Sequence, residues 1–265
     1  MDLRSKHLRR LIVEALEGGG RGHIGASLSL VEILRVLYDS YLSFNAPNPY
    51  WPQRDRLILS KGHGCLALYA ILADKKFFAE SELKTFCRPT SRLGGHPELK
   101  KVAGIEASTG ALGHGLPIGV GMAVAAKIRD HRHRVVVIVG DGEINEGSVW
   151  EAALSASKHQ LDNLVVFIDY NKLQSYGSSK EVLNLEPLSE KWRSFGFAVQ
   201  EVDGHDIDEL ESVVKSLPFQ TQKPSVVICH TIKGKGFPFA EGDASWHHKS
   251  DLTSAEIAAM YACLE

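Results

Sequence analysis

The chain's 265 residues suit one large domain or two small ones. An apolar share of 44%, a charged share of 23% and a formal net charge of -2 describe an ordinary globular protein, with no electrostatic reason to bind nucleic acid or an anionic membrane. No uncharged apolar run is long enough to span a bilayer, and Met1-Asp2-Leu3-Arg4 opens no secretory leader, so a cytoplasmic location is expected.

Helical spacing of apolar residues predicts helices over Ser5–Glu17 and Ser29–Ser43. The short apolar run Arg56–Ser60 leads into Lys61-Gly62-His63-Gly64 and a helical stretch, Cys65–Leu72. Helical patterns at Gly113–Ile128 and Gly147–His159 flank the β-branched run Val135–Val139. After a second such run, Leu164–Ile168, come a helical pattern at Pro187–Phe195 and a weaker strand at Ala198–Val202. A helical pattern at Asp206–Leu217, the strand Val226–Ile228 and a helical stretch from Thr253 complete the chain. Such alternation, with nearly continuous apolar strands, predicts an α/β fold: a doubly wound, mostly parallel sheet with helices on both faces. No repeat, linker or low-complexity segment interrupts it, so residues 1–265 read as one domain. The cysteines Cys65, Cys87, Cys229 and Cys263 stand far apart without metal-like pairing and are expected as reduced thiols.

In sheets of this kind ligands lie beyond the carboxyl ends of the strands. There the sequence places Gly140-Asp141-Gly142-Glu143-Ile144-Asn145-Glu146-Gly147 after one strand and Asp169-Tyr170-Asn171-Lys172-Leu173 after the next. Glycine lets backbone approach a phosphate while an aspartate at a strand end aims its carboxylate at a cation. If the two strands are neighbours, Asp141 and Asn171 face one site. A carboxylate, an amide oxygen, a backbone carbonyl, a water and two phosphate oxygens would complete an octahedral Mg²⁺ shell. Gly-Asp-Gly alone is common in turns; the asparagine at the end of the following strand is what gives the pair meaning.

That arrangement resembles the thiamine-diphosphate motif. The resemblance implies that Asp141, Asn171 and the carbonyl of Leu173 hold a divalent metal, Mg²⁺ or else Ca²⁺ or Mn²⁺, bridging the coenzyme diphosphate, with Gly140, Gly142 and Ser175 in the same cofactor loops. Further segments resemble the transketolase family, in family order. Gly22-His23-Ile24-Gly25 is similar to its Gly-His-Pro-Gly, and Ser60-Lys61-Gly62-His63-Gly64 to its Ser-Asn-Gly-His-Gly. Gly95-His96-Pro97-Glu98 is similar to its Gly-His-Pro-Glu, and Ser245-Trp246-His247 to its Ser-Trp-His. Thr109-Gly110-Ala111-Leu112-Gly113-His114-Gly115 resembles Thr-Gly-Pro/Ser-Leu-Gly-Gln-Gly, with Ala111 and His114 as departures.

By that resemblance His63 and His247 sit near the diphosphate, while His23 and His96 contact reacting oxygens of the sugars. Imidazoles suit both tasks, since they hydrogen-bond oxygens and move protons near neutral pH. The Gly110, Ala111 and Leu112 stretch opens a helix and offers further cofactor contacts; Gly119 and Gly121 are read as close helix-packing positions. Ile232 matches a family isoleucine that packs on the cofactor, and a buried core position accounts for it equally well. His114 is read as structural or as a support to the site, His131, His133, His159, His205 and His230 as structural, and His248 is left open.

In this family the glutamate that activates the coenzyme lies on a separate pyrimidine-binding domain, which follows the diphosphate-binding one. The chain reaches Glu265 with no second α/β pattern. The resemblance therefore implies the N-terminal subunit of a split transketolase, working with a C-terminal subunit that carries the pyrimidine-binding domain, in a heterotetramer. The expected reaction moves a two-carbon ketol unit from a ketose, usually phosphorylated, to an aldose. Glu146 is expected to link paired active sites; a helix N-terminal glutamate is the plainer alternative. A subunit of a 2-oxo acid dehydrogenase or deoxyxylulose-phosphate synthase, or a non-catalytic regulatory homologue, are the competing readings.

Overall fold

Runs of valine and isoleucine dictate the centre of the molecule. The computed structural model, which describes residues 1–265, forms five strands: β1 (Arg56–Leu59), β2 (Val135–Gly140), β3 (Leu164–Tyr170), β4 (Ala198–Asp203) and β5 (Ser225–His230). They make one sheet in the order β1-β2-β3-β5-β4. Every neighbouring pair is parallel, so the sheet expected as mostly parallel is wholly so. β2 and β3 are buried along their whole length, which parallel strands covered on both faces require. β4 keeps exposed Gln200 and Glu201, as its edge position permits, and this explains its weaker apolar signal.

The period-2 alternation of the strands divides the core into two layers. Leu57, Val136, Ile138, Val165, Phe167 and Val227 join a cluster with helices α1 (Leu3–Gly19), α2 (Ile24–Leu28), α3 (Val31–Val36), α4 (Cys65–Asp74), α9 (Ile207–Lys215) and α10 (Ser254–Ala262). Ile58, Val135, Val137, Val139, Val166 and Ile168 join the opposite cluster with α5 (Gly115–Ile128), α6 (Gly147–Lys158) and α8 (Leu188–Ser194). Each of these buried apolar side chains contributes roughly 1.5–3 kcal/mol. A short helix, α7 (Ser179–Val182), which the apolar pattern does not predict, rests on a capping box between Ser178 and Glu181.

Three expectations are corrected. The helix expected over Ser29–Ser43 starts earlier, at Ile24, breaks at Ser29–Leu30, and continues from α3 into a π-helical turn, Leu37–Tyr41. The break coincides with Ser29, whose hydroxyl bonds the Ala26 carbonyl and a buried carboxylate, that of Asp169. The helix expected from Gly113 starts at Gly115, because Gly113 is left-handed (φ +79°). Gly119 does pack closely, since a Cβ there would come within 2.4 Å of Val137, but Gly121 meets nothing within 4 Å.

Candidate active site

Register between β2 and β3 pairs Gly140 with Asp169, so Asp141 and Asn171 emerge side by side beyond the strand ends. Asp141 is buried, and its Oδ2 accepts the Lys172 backbone N–H at 2.6 Å and the Ser179 hydroxyl at 2.9 Å. Its Oδ1 accepts from Gly142 N–H at 2.8 Å. Lys172 is left-handed (φ +64°), turning the chain so that Leu173 N–H donates to Asn171 Oδ1 at 3.2 Å. Lys233, from the segment after β5, donates its ammonium to the Leu173 carbonyl at 2.7 Å. Asp141, Asn171, Leu173 and Lys233 all line one cleft, with an empty volume of about 860 Å³ including its open mouth.

Beneath the cleft lies a buried polar network. Lys61, at the end of β1, is 1% exposed and bonds the Ala26 carbonyl at 3.1 Å and the Asp169 carboxylate. Asp169 also accepts Ser29 at 2.6 Å, Thr231, and Asn171 Nδ2 at 3.3 Å. Burial would raise the Asp169 pKa, but the Lys61 charge and these donors outweigh it and hold it low. Asp141 has no cation of its own: burial and then the Asp169 charge push its pKa up. Lys233 is pushed down to about 8 by burial and by Lys61.

Glu143 fastens the loops around these groups. Its Oε1 accepts from Ser60 and from Gly113 N–H at 2.9 Å, and its Oε2 from Gly140 N–H at 3.1 Å. One buried carboxylate thus joins the ends of β1 and β2 to the loop ahead of α5; its burial raises its pKa.

The four histidines singled out from the sequence converge. His23 stands at the centre, with ring centroids 5.5 Å from His63, 5.9 Å from His96 and 5.6 Å from His247. His63 and His247 line the cleft, and His247 Nε2 bonds Ser175 Oγ at 3.1 Å. Burial is the main reason that His23 is pushed down to about 3, His63 to about 2 and His247 to about 4, with neighbouring imidazoles and lysines adding to it. All three are neutral at neutral pH.

Gly140, Gly142, Glu146, Ser175 and Leu112 also line the cleft, and Gly110 lies against the His96 ring, where a Cβ would come within 3.1 Å. Three expected cofactor contacts fall outside the lining: Gly110 itself, Ala111, which is exposed, and Ile232, which is 39% exposed with its N–H on His205. Ile232 is therefore not the buried core residue that was its alternative reading. His205, read as structural, bridges Glu32 and Ile232. His114 is exposed, with its ring held by the Leu112 carbonyl. Glu143, Lys61 and Lys233 join the site without having been expected there. The first two sit inside the quoted motifs, whereas Lys233 carries no local signal.

The donors suit a hard divalent cation, being one carboxylate, one amide and one carbonyl oxygen. No group of three or more His, Cys, Asp or Glu side chains is placed to hold a metal, so a cation here depends on those oxygens and on a ligand. Asn145 Oδ1, Gln174 Nε2 and His247 Nδ1 are buried without partners and belong to residues lining the cleft. Unpaired buried polar atoms mark places where a ligand or water completes the bonding. The residues present fit a metal-bound diphosphate.

Residues 2–264 match the family model described as "Transketolase, thiamine diphosphate binding domain". The chain is 45% identical over 258 residues to the 6-deoxy-6-sulfo-D-fructose transketolase subunit of a Clostridium species, covering 97% of this chain and 94% of that one. It is 44% identical over 250 residues to an apulose-4-phosphate transketolase subunit of Actinobacillus succinogenes, covering 94% and 90%. Among solved structures, transketolase from Leishmania mexicana superimposes with a TM-score of 0.91 at 29% identity. That match covers 100% of this chain and 41% of the other, so the chain spans about two fifths of the solved transketolase.

Proposed function

The chain belongs to the transketolase family through its thiamine-diphosphate-binding domain, and from that premise we propose that it is the diphosphate-binding subunit of a two-chain transketolase. It acts as one unit over residues 1–265 and transfers a two-carbon ketol unit from a ketose to an aldose. The observation that carries the reading is the meeting of Asp141, Asn171 and the Leu173 carbonyl with four histidines at one cleft.

Asp141, Asn171 and Leu173 would hold Mg²⁺, with Ca²⁺ or Mn²⁺ as substitutes of like donor preference. Bound thiamine diphosphate supplies the electron sink for breaking the ketose carbon–carbon bond. Lys233 and the N–H groups of neutral His63 and His247 would balance and bond the diphosphate oxygens. His23 and His96 would bond sugar oxygens and carry protons to and from them. Glu146, exposed at the start of α6, would connect to a second active site.

The partner proposed is a chain carrying the pyrimidine-binding domain, in a heterotetramer. Its support is that the chain covers most of two relatives that are themselves named as subunits. Those relatives are named for a sulfonated and a phosphorylated ketose, which supports an anionic ketose here. Four free thiols support the cytoplasm as the location. No helix is long and apolar enough to cross a membrane.

The test is a tagged pull-down from native cells followed by a ketol-transfer assay on the reconstituted pair. A stoichiometric pyrimidine-domain partner and activity only in the pair are expected. Full transfer by this chain alone would overturn the two-chain reading.

A further inference from the structure

The histidines form two tiers. His63 and His247 line the inner cleft, whereas His23 and His96 stand outside its lining. A fifth imidazole joins the outer tier: the His248 ring centroid lies 4.5 Å from that of His23, the shortest approach His23 makes to another histidine.

This closeness is built into the backbone. Gly22 N–H donates to the Lys249 carbonyl at 2.9 Å, and Lys249 N–H returns a bond to the Gly22 carbonyl at 3.0 Å. The next residue on one segment is His23, and the preceding one on the other is His248. A further bond, Leu252 N–H to the Gly20 carbonyl at 2.9 Å, extends the pairing. Lys249 anchors the segment again through its ammonium, 3.1 Å from Glu256 and 4.4 Å from the centre of the Trp246 ring. His23 begins α2 without capping it through its side chain, and His248 is exposed. A fixed backbone thus presents two adjacent imidazoles that the fold does not itself employ.

We propose that His248 is a substrate-contacting residue that hydrogen-bonds a hydroxyl of the sugar chain beyond the reacting carbonyl, and so helps set which sugars the enzyme accepts. The inference rests on the transketolase reading above. A sugar carries donor and acceptor hydroxyls on successive carbons, and a neutral imidazole offers one of each.

The experiment uses the reconstituted pair with His248→Asn and His248→Gly. Donors are a neutral, a phosphorylated and a sulfonated hexulose; acceptors are glycolaldehyde and a pentose. One lost hydrogen bond predicts a KM about three- to tenfold higher for at least one sugar of five or more carbons. The KM for glycolaldehyde, kcat and the affinity for thiamine diphosphate should stay within about twofold. A KM unchanged for every sugar overturns the assignment, as does a fall in coenzyme affinity matching the KM change. If the unsubstituted pair transfers from no donor, the transketolase reading itself fails and the proposal falls with it.

Discussion

The carboxylate of Asp141 accepts the backbone N–H of Lys172 at 2.6 Å across the ends of β2 and β3. One side chain therefore both reaches the cleft and fixes the turn that carries the Asn171 and Leu173 oxygens. Asp141→Ala should weaken Mg²⁺-dependent binding of thiamine diphosphate more than about 100-fold, since even residues supporting a metal ligand cost up to that much. The fold should survive. Unpaired Lys172 and Gly142 N–H groups cost about 1–3 kcal/mol each, partly offset by removing the repulsion between Asp141 and Asp169. Coenzyme titration followed by tryptophan fluorescence on the reconstituted pair is the check, and unchanged affinity would remove Asp141 from the site.

Lys61 and Asp169 form an ion pair whose side chains are 1% and 0% exposed. Removing one partner of such a pair leaves an uncompensated buried charge, which costs about 3–5 kcal/mol. Lys61→Met keeps most of the volume and should lower stability by about that amount in urea denaturation. The double variant Lys61→Met, Asp169→Leu should recover part of the loss. A single variant as stable as the parent would mean that the pair holds nothing together.

Much of this was legible in the sequence because it depends on neighbours along the chain. β2, β3 and β5 are short β-branched runs between polar loops, and no other element suits them. Asp141 and Asn171 could be placed at one site because parallel strands joined by a single helix tend to lie side by side. Long-range contacts were invisible: Ser29 meets Asp169 from 140 positions away, and that pairing accompanies the break between α2 and α3. Lys233 reaches Leu173 across 60 positions. Glu143 sits in a familiar motif, yet its partners Ser60 and Gly113 belong to other strands and loops. For Ile232 only the core reading fails: an apolar residue after a strand is usually covered, whereas this one is 39% exposed.

Glu143 gives a separate test of how the cleft is held. Glu143→Ala would leave Gly113 N–H, Gly140 N–H and the Ser60 hydroxyl without their acceptor. At about 1–3 kcal/mol for each unpaired buried donor, a loss of about 3 kcal/mol or more is expected, with weaker coenzyme binding. Glu143→Gln keeps an acceptor oxygen and should lie between the two in a urea titration. A Glu143→Ala protein with the parent's stability and affinity would show that the loops are held by other contacts.

The histidine cluster predicts how stability responds to acid. Burial, then the charges of neighbouring histidines and of Lys61 and Lys233, pushes His23 to about 3, His63 to about 2 and His247 to about 4, from 6.5 in the unfolded chain. A group with a folded pKa below its unfolded one takes up its proton only on unfolding. Between those values the unfolded state binds more protons, so stability rises with pH there. The contribution is complete above about pH 6.5 and drains away as the pH falls below it. The slope is at most about 1.4 kcal/mol per pH unit for each imidazole, and less for these half-buried rings, which water partly screens. Glu32, held down to about 2 chiefly by His205 and Arg9 against its burial, begins to matter only near pH 4.5 and below. The urea midpoint should therefore fall steadily from pH 7 to pH 5, a window in which the histidines dominate. His63→Gln, which cannot take up the proton, should flatten the fall. A midpoint constant over that range would mean that the folded rings take up protons near pH 6.5 as the unfolded ones do, and an equal slope in the variant would mean that His63 is not one of the groups held down.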